Sequence, residues 1–235
     1  MVRLDKFLSD CNVGTRSQIK EQIRKGQVCV NGTMVKKADT KVSETVDQVM
    51  YCGELCTYRK YAYYMLHKPK GVVSATNDNT AATVLSLLTD VTDKSLFPVG
   101  RLDKDTTGLL LITNDGGLAH DMLSPKKHVD KTYLAKIRKP LHHKERVLLE
   151  QGVDIGDEAL TLPAKVQITD ENHILLTIQE GRFHQVKRML KAVGNEVICL
   201  KRISFGPLTL EDSLREGEFR ALTAKEVEAL QQLKS

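Results

Sequence analysis

The sequence predicts an α+β protein in two parts, a small basic module followed by a larger body containing a sheet. Three observations carry this. After residue 61, about seven strand-like runs and four helical ones follow each other without strict alternation, which argues against a doubly wound sheet. Residues 1–41 hold nine Lys or Arg against four acids, while the rest of the 235-residue chain is balanced, so the whole excess of +5 lies at one end. Between the two parts, over 51–60, hydrophobic periodicity is lost.

In the module, Leu4, Phe7 and Leu8 recur at i, i+3 and i+4, the spacing of a helix with one apolar face. Gly14 ends it. Thr15 with Gln18 three residues on is a capping-box signal for a second helix. Ile19 and Ile23 give that helix a buried side, and Gly26 supplies its stop. Arg16, Lys20 and Arg24 form a basic stripe beside the Ile face. A solvated helix face is the ordinary reading of such a stripe. Its coincidence with the whole charge excess points to a polyanion partner, RNA or DNA. Val28–Val30, Asn31-Gly32 and Thr33–Val35 read as a tight hairpin, since Asn-Gly is the strongest short hairpin signal. Residues 51–60 read as a linker.

In the body, Tyr61–Leu66 reads as a strand that turns at His67-Lys-Pro-Lys-Gly71. Val72 and Val73 are a short extended piece, and Thr83–Leu88 has helical spacing. Gly100 opens a dense cluster of charge, Arg101, Asp103, Lys104 and Asp105. The cluster runs into Leu109–Ile112, short enough for a buried strand, and closes on Asn114-Asp115-Gly116. Charges against the start of a buried strand are costly unless paired. A salt-bridged turn and an ionised carboxylate held for chemistry at Asp103 are both open at this point.

Leu118–Leu123 reads as a short helix ended by Pro125. Lys131–Ile137 alternates, with Tyr133, Ala135 and Ile137 on its apolar face. A core tyrosine is the plain reading of Tyr133. Lys144–Glu150 is a helix, and Val153–Thr169, Ile174–Gln179 and Glu196–Phe205 are strands. Glu180–Gly194 reads as one amphipathic helix with Phe183, Val186, Leu190 and Val193 as its apolar stripe. Lys187 lies at the edge of that stripe, where a carboxylate partner is expected. Arg188 and Lys191 point toward solvent. Thr223 and Glu226 form a second capping box that opens a last helix through Leu230.

The longest apolar run, Tyr61–Leu66, is far short of the ~20 residues of a membrane helix. The opening Met-Val-Arg-Leu-Asp-Lys lacks the apolar core of a signal peptide. No membrane association is expected. Five scattered cysteines suit free thiols in a reducing cytoplasm. Cys52 and Cys56 are close in sequence, but no second pair completes a metal site. The chain shows no Gly-rich phosphate loop, dinucleotide fingerprint, Ser/His/Asp signature or zinc pattern. No metal or cofactor is expected, and any chemistry must come from a carboxylate with basic and aromatic neighbours.

Residues 1–50 resemble the alpha-L RNA-binding module of a ribosomal small-subunit protein and of several RNA-modifying enzymes. The matching pieces are Arg3-Leu-Asp-Lys-Phe-Leu8, Thr15-Arg-Ser17, the Ile19/Ile23 helix, Gly26-Gln-Val28 and Val30-Asn-Gly32. The resemblance implies that Arg3, Arg16, Lys20, Arg24 and Lys25 face RNA phosphates. Such contacts position a protein without reading sequence.

The chain as a whole resembles a pseudouridine synthase of the RsuA type, the bacterial ribosomal-RNA branch of that superfamily. Its most specific piece is Gly100-Arg-Leu-Asp-Lys-Asp-Thr-Thr-Gly-Leu-Leu-Leu-Ile-Thr-Asn-Asp-Gly116. Leu66-His-Lys-Pro-Lys-Gly71, Lys131-Thr-Tyr133 and Glu180-Gly-Arg-Phe-His-Gln-Val-Lys-Arg-Met189 support it. His67 stands where that family usually has Asn, a departure expected to leave the site unaffected. The resemblance implies the pseudouridine synthase fold over 61–235, a central mixed, mostly antiparallel sheet with flanking helices. It implies that Asp103 is the catalytic aspartate, that Tyr133 packs on the target base and that Lys187 pairs with Asp103. It further implies RNA contacts from Lys68, Arg101, Arg182, His184 and Arg188. Arg101 reads either as a wedge or phosphate clamp or as a salt-bridge partner of Asp105.

These roles fit the reaction. Turning uridine into pseudouridine needs no redox centre, metal or energy source. It needs a carboxylate ionised at neutral pH, and a free Asp titrates near ~4. Burial raises that value and a neighbouring lysine opposes the rise. The base leaves its stack at a cost of a few kcal/mol, of which an aromatic platform returns roughly 1–3 kcal/mol. The expected substrate is a uridine of 16S rRNA, at position 516, in a small-subunit assembly intermediate. A monomeric, cytoplasmic enzyme is expected. Phe183-His184 with Lys187 favours this branch over a sister enzyme of large-subunit 23S rRNA. A non-catalytic RNA-binding assembly factor is the reading from another class. The basic module alone supports it, and the set Asp103, Tyr133 and Lys187 opposes it.

Overall fold

Apolar side chains at helical spacing draw the first two helices together. β1 (Val2–Arg3) leads into α1 (Leu4–Asp10), and α2 (Arg16–Arg24) follows. Leu4, Phe7, Leu8, Ile19 and Ile23 are buried in a core shared with Val28, Val42 and Val49. The capping box forms as expected: Thr15 N–H donates to Gln18 Oε1 at 2.9 Å, and Gln18 N–H donates to Thr15 Oγ1 at 3.4 Å. Asn31 and Gly32 both have positive φ, as a two-residue type I′ hairpin needs. They join β2 (Val28–Val30) to β3 (Thr33–Met34). β4 (Lys41–Val42) pairs with β1, and β5 (Val49–Tyr51) with β2.

The structure is a computed structural model and describes residues 1–234 except 12, 59, 90 and 92–94. The chain divides into two compact units, Met1–Ala62 and one formed mainly by the residues from Tyr63 onward. The stretch 51–60, expected as a linker, carries structure of its own. β6 (Glu54–Leu55) folds back on β5 through Cys52-Gly53. Cys56 and Tyr58 pack on the module's core, and the Tyr58 ring stacks on Phe7 with centroids 4.9 Å apart. Strands of two or three residues are too short to show alternation, which is why the pattern is lost there.

The second unit is built on one nine-stranded sheet. Its strands are β7 (Tyr63–Lys68), β8 (Phe97–Pro98), β9 (Thr107–Thr113), β10 (Lys131–Ile137), β11 (Lys165–Asp170), β12 (His173–Ile178), β13 (Val197–Phe205), β14 (Leu208–Thr209) and β15 (Phe219–Ala221). The path runs β11-β12-β10-β13-β9-β7-β15, with β14 on β13 and β8 on β9. β13 and β9 run parallel and the other pairs antiparallel. This is the mixed, mostly antiparallel sheet of the expected fold. Its helices are α3 (Gly116–Leu123), α4 (His143–Gln151), α5 (Gln185–Ala192) and α6 (Ala224–Gln231).

Residue type explains the layers. β9 is buried at every position, as a central strand of Leu and Ile should be. β10 alternates, burying Lys131, Tyr133, Ala135 and Ile137. Gly108 makes the parallel contact possible: it has φ +108°, and a Cβ there would run into the backbone of Arg202. Asp115 is the N-cap of α3, its Oδ1 accepting the Leu118 N–H at 3.1 Å.

Several boundaries differ from the sequence reading. β7 continues through His67 and Lys68, because its pairing with β9 runs on to Gly108. Residues 153–164 are not a strand: the N–H and C=O of Val153 are both bonded to Thr161, which closes a loop. The helix expected over Glu180–Gly194 starts only at Gln185. His184 takes a left-handed conformation, φ +48°, and 180–184 form a loop. Phe183 is therefore exposed rather than part of an apolar stripe.

Candidate active site

Asp103 lies on the loop that feeds β9. Its carbonyl accepts the Thr106 N–H at 3.1 Å, which closes a tight turn. The segment after β7 pins this turn. Ser74 Oγ donates to the Leu102 carbonyl at 2.9 Å and accepts the Leu102 N–H at 3.0 Å. Gly71 N–H donates to the Lys104 carbonyl at 2.8 Å. Lys68 is wholly buried and donates to the carbonyls of Thr106 at 2.9 Å, Pro69 at 3.0 Å and Lys104 at 3.4 Å. Three acceptors match the three donors of an ammonium. Burial lowers its pKa to about 8, against the pull of Asp105 and Asp103. The expectation that Lys68 touches RNA is corrected: it is sealed under the loop that it shapes.

Lys187, in the first turn of α5, reaches both acids of this loop. Its Nζ is 2.8 Å from Asp103 Oδ2 and 2.7 Å from Asp105 Oδ1. Burial alone would lower its pKa, but the two carboxylates outweigh that and hold it raised. The hydrogen bond from Lys187 in turn holds Asp105 below the ordinary carboxylate range. Asp105 therefore pairs with Lys187, and Arg101 is exposed, making no ion pair among the described residues. His184 Nε2 stands 3.6 Å from Asp103 Oδ1, so both carboxylate oxygens have a nitrogen neighbour.

Tyr133 comes from the buried face of β10. Together with Asp103, Lys187, Ile178, Val186 and Leu200 it lines a recess of about 70 Å³. A cleft of about 800 Å³ shares Asp103, His184 and Lys187 with that recess, and Lys70, Arg101 and Lys104 form part of its wall. An ionisable carboxylate, a lysine and an aromatic ring thus meet at one recess, with the apolar side chains of Ile178, Val186 and Leu200 beside them.

Opposite Tyr133 across the β10–β13 pair lies Arg202, which the sequence reading passed over as part of a strand. It is wholly buried, donates Nε to the Leu109 carbonyl at 2.8 Å and lies 4.6 Å from the Phe205 ring centroid. Burial lowers its pKa, and the Tyr133 hydroxyl opposes that. An arginine within the strand segment Leu200-Lys-Arg-Ile203 was the available signal.

Two further residues expected to contact RNA, Arg182 and Arg188, are bonded within the protein, and Arg182 also lines the recess and the cleft. Arg182 Nε donates to Glu180 at 3.0 Å, and its other nitrogens donate to the carbonyls of Ala159 at 2.7 Å and Leu160 at 2.8 Å. Arg188 donates to the Phe183 carbonyl at 3.1 Å, to the Ile155 carbonyl and to Asp157. These guanidinium groups fasten the 180–184 loop to residues 155–160. His67 is buried, its Nδ1 donating to the Leu214 carbonyl at 2.6 Å, and it lines neither recess nor cleft. In the first unit Arg16, Lys20 and Arg24 are exposed. Lys25 pairs with Glu21 at 2.7 Å and Arg3 with Asp5 at 2.9 Å.

The family model described as RNA pseudouridylate synthase matches residues 62–192, and the S4 domain model matches residues 2–47. The chain belongs to the RNA pseudouridylate synthase family. An uncharacterized RNA pseudouridine synthase of Bacillus subtilis, YtzG, is 44% identical over 97% of this chain and 98% of its own length. Ribosomal small subunit pseudouridine synthase A of Haemophilus influenzae is 41% identical over 97% of this chain and 99% of its own. A pseudouridylate synthase of known crystal structure, 40% identical, superposes with a TM-score of 0.69 over 98% of this chain and 100% of that one. The family match spans all three residues that meet at the recess of this pseudouridine synthase.

Proposed function

We propose that this pseudouridine synthase isomerises a uridine of 16S rRNA, at position 516. Asp103 is its catalytic carboxylate, Tyr133 the platform under the base and Lys187 the counter-ion. The observation that carries this reading is the convergence of those three side chains on one recess from a loop, a strand and a helix. Relatives named ribosomal small subunit pseudouridine synthase A favour the 16S choice over a 23S one. The N1–C1′ bond breaks and a C5–C1′ bond forms. The proton leaves C5 and N1 gains one, so atoms balance without a co-reactant. The Asp103 carboxylate acts at the ribose, as nucleophile at C1′ or as base. Lys187, cationic throughout, offsets the negative charge beside the reacting sugar.

The target base reaches the recess only out of its stack, at a cost of a few kcal/mol. Stacking on Tyr133 returns roughly 1–3 kcal/mol of that. Residues 1–50 dock the RNA through Arg16, Lys20 and Arg24, with Arg3 and Lys25 beside them, and 61–235 form the catalytic domain. The substrate is an assembly intermediate of the small subunit, and the enzyme acts as a cytoplasmic monomer. No helix among the described residues is long and apolar enough to cross a membrane.

The test maps pseudouridine in rRNA from cells lacking the protein, rescued with wild type or Asp103→Asn. A 16S modification that is lost and then restored by wild type alone supports the proposal. Loss in 23S rRNA moves the enzyme to the sister branch, and no loss at all ends the enzymatic reading.

A further inference from the structure

Phe183 is 75% exposed at the wall of the cleft. A single exposed aromatic is ordinary by itself. This one is held in place. Its ring stacks on His184 with centroids 3.8 Å apart and planes 19° from parallel. His184 in turn stands 3.6 Å from Asp103. The loop beneath is tied on every side. Arg182 N–H donates to Gln185 Oε1 at 2.9 Å, and Gln185 Nε2 donates to Glu180 at 2.7 Å. Arg188 holds the Phe183 carbonyl itself, and Arg182 fastens the loop to Ala159 and Leu160. His184 keeps a left-handed backbone, uncommon for a residue with a Cβ. Two arginines and a strained histidine thus fix a large apolar ring in the open beside the catalytic carboxylate.

The surrounding charge identifies what meets the ring. Lys70, Arg101, Lys104 and Lys187 line the same cleft, together with Asp103 and Asp105. A basic groove with an aromatic face is the arrangement that takes unpaired nucleic acid, phosphates on the cations and bases on the ring. A uridine that leaves its stack to reach Asp103 also strips its neighbour of one stacking face.

We propose that Phe183, backed by His184, stacks on the nucleobase adjacent to the target uridine and fills the place that uridine leaves. The inference rests on the reaction proposed at Asp103 and adds the residue that holds the RNA open. It gives Phe183 a role in substrate positioning.

The experiment uses the full-length enzyme and an RNA stem–loop containing the modified uridine, with 2-aminopurine at the neighbouring position. Single-turnover conversion is measured for wild type, Phe183→Ala, Phe183→Leu and Phe183→Tyr. Loss of one base stack lowers conversion at subsaturating enzyme by about 10- to 100-fold in the Ala and Leu variants. The Tyr variant stays close to wild type. Wild type quenches the 2-aminopurine on binding, and Phe183→Ala leaves it bright. Wild-type conversion and quenching in Phe183→Ala overturn the inference, as does full rescue by Leu, which has bulk without a π face. A lowered melting temperature in Phe183→Ala also overturns it, because the ring would then support its own loop. A wild-type enzyme that converts no uridine sinks both this inference and the reaction it rests on. Conversion by wild type and Phe183→Ala alike removes this inference alone.

Discussion

Lys187 Nζ stands 2.8 Å from Asp103 Oδ2, and this contact ties α5 to the loop before β9. The same nitrogen holds Asp105, so one cation serves two acids. Replacing Lys187 with Met leaves two carboxylates without the cation that bonds both. The kcat is expected to fall by about 10²- to 10³-fold, the usual cost of losing one preorganised charged donor. On the role proposed for Lys187, beside the reacting sugar, KM for RNA changes by less than about threefold. Single-turnover and steady-state rates on one RNA separate the two quantities. The pKa of Lys187 is raised. Its ion pairs therefore contribute in full below the ordinary lysine value of ~10.4 and are lost only as pH rises through the raised one. A Lys187-dependent alkaline loss of activity near pH ~8 would contradict this pairing.

Lys68 gives the opposite pH behaviour. Burial brings its pKa down to about 8. Above that the neutral amine has two N–H donors for the carbonyls of Pro69, Lys104 and Thr106, and the turn that carries Asp103 loosens. The sign for global stability differs. Between about 8 and ~10.4 the unfolded chain binds the proton more tightly, so this group makes stability rise with pH there. The expected result is a kcat that falls with an apparent pKa of about 8 while the melting temperature does not fall. Lys131 titrates in the same window, also lowered to about 8 by burial. Lys68→Met assigns the limb: it lowers kcat by about tenfold at neutral pH, consistent with looser positioning, and flattens the profile above it.

The features legible in the sequence are the local ones. The Thr15/Gln18 box, the Asn31-Gly32 hairpin, the buried run of β9 and the alternation of β10 each depend on neighbours a few residues away. Lys187 was readable as a lysine in need of a carboxylate. Which carboxylate it meets depends on the parallel contact of β9 with β13, and no spacing encodes that. Phe183 was misread because it extends the apolar spacing of Val186 and Leu190 by one turn. The left-handed backbone at His184 breaks the helix first. Lys68, Arg182 and Arg188 mark the limit of reading charge. Their cations bond to backbone carbonyls and, for the two arginines, to Glu180 and Asp157, which only the folded chain brings near.

Gly108 tests the sheet that positions the site. At φ +108° its Cα faces the backbone of Arg202, and a methyl group there has nowhere to go. Gly108→Ala adds backbone strain to overpacking, together about 2–5 kcal/mol. For a unit of this size that is a fall in melting temperature of roughly 5–15 °C. Gly32→Ala is the control. It has a positive φ too, but no atom lies within 4 Å of the added carbon, so the loss stays near ~1 kcal/mol. Equal losses at the two positions, read by calorimetry, would mean that the β9–β13 contact does not set the constraint.

Arg16, Lys20 and Arg24 lie one turn apart on α2, beside the buried Ile19 and Ile23. None of the three makes an ion pair among the described residues, so their full charge is available to phosphates. Each phosphate contact contributes about 0.7 to 0.9 to the slope of log affinity against log salt, so replacing all three by Gln flattens it by about 2 to 3. Phosphate contacts carry no sequence information, so the modified uridine stays the same and kcat at saturating RNA is unchanged. Fluorescence anisotropy of one labelled RNA from about 50 to 200 mM salt reads the slope. Arg182→Gln is the contrast. Its guanidinium is held by Glu180, Ala159 and Leu160, so that variant loses stability in the 180–184 loop while its salt slope matches wild type. A triple variant with a wild-type slope would take the docking role away from α2.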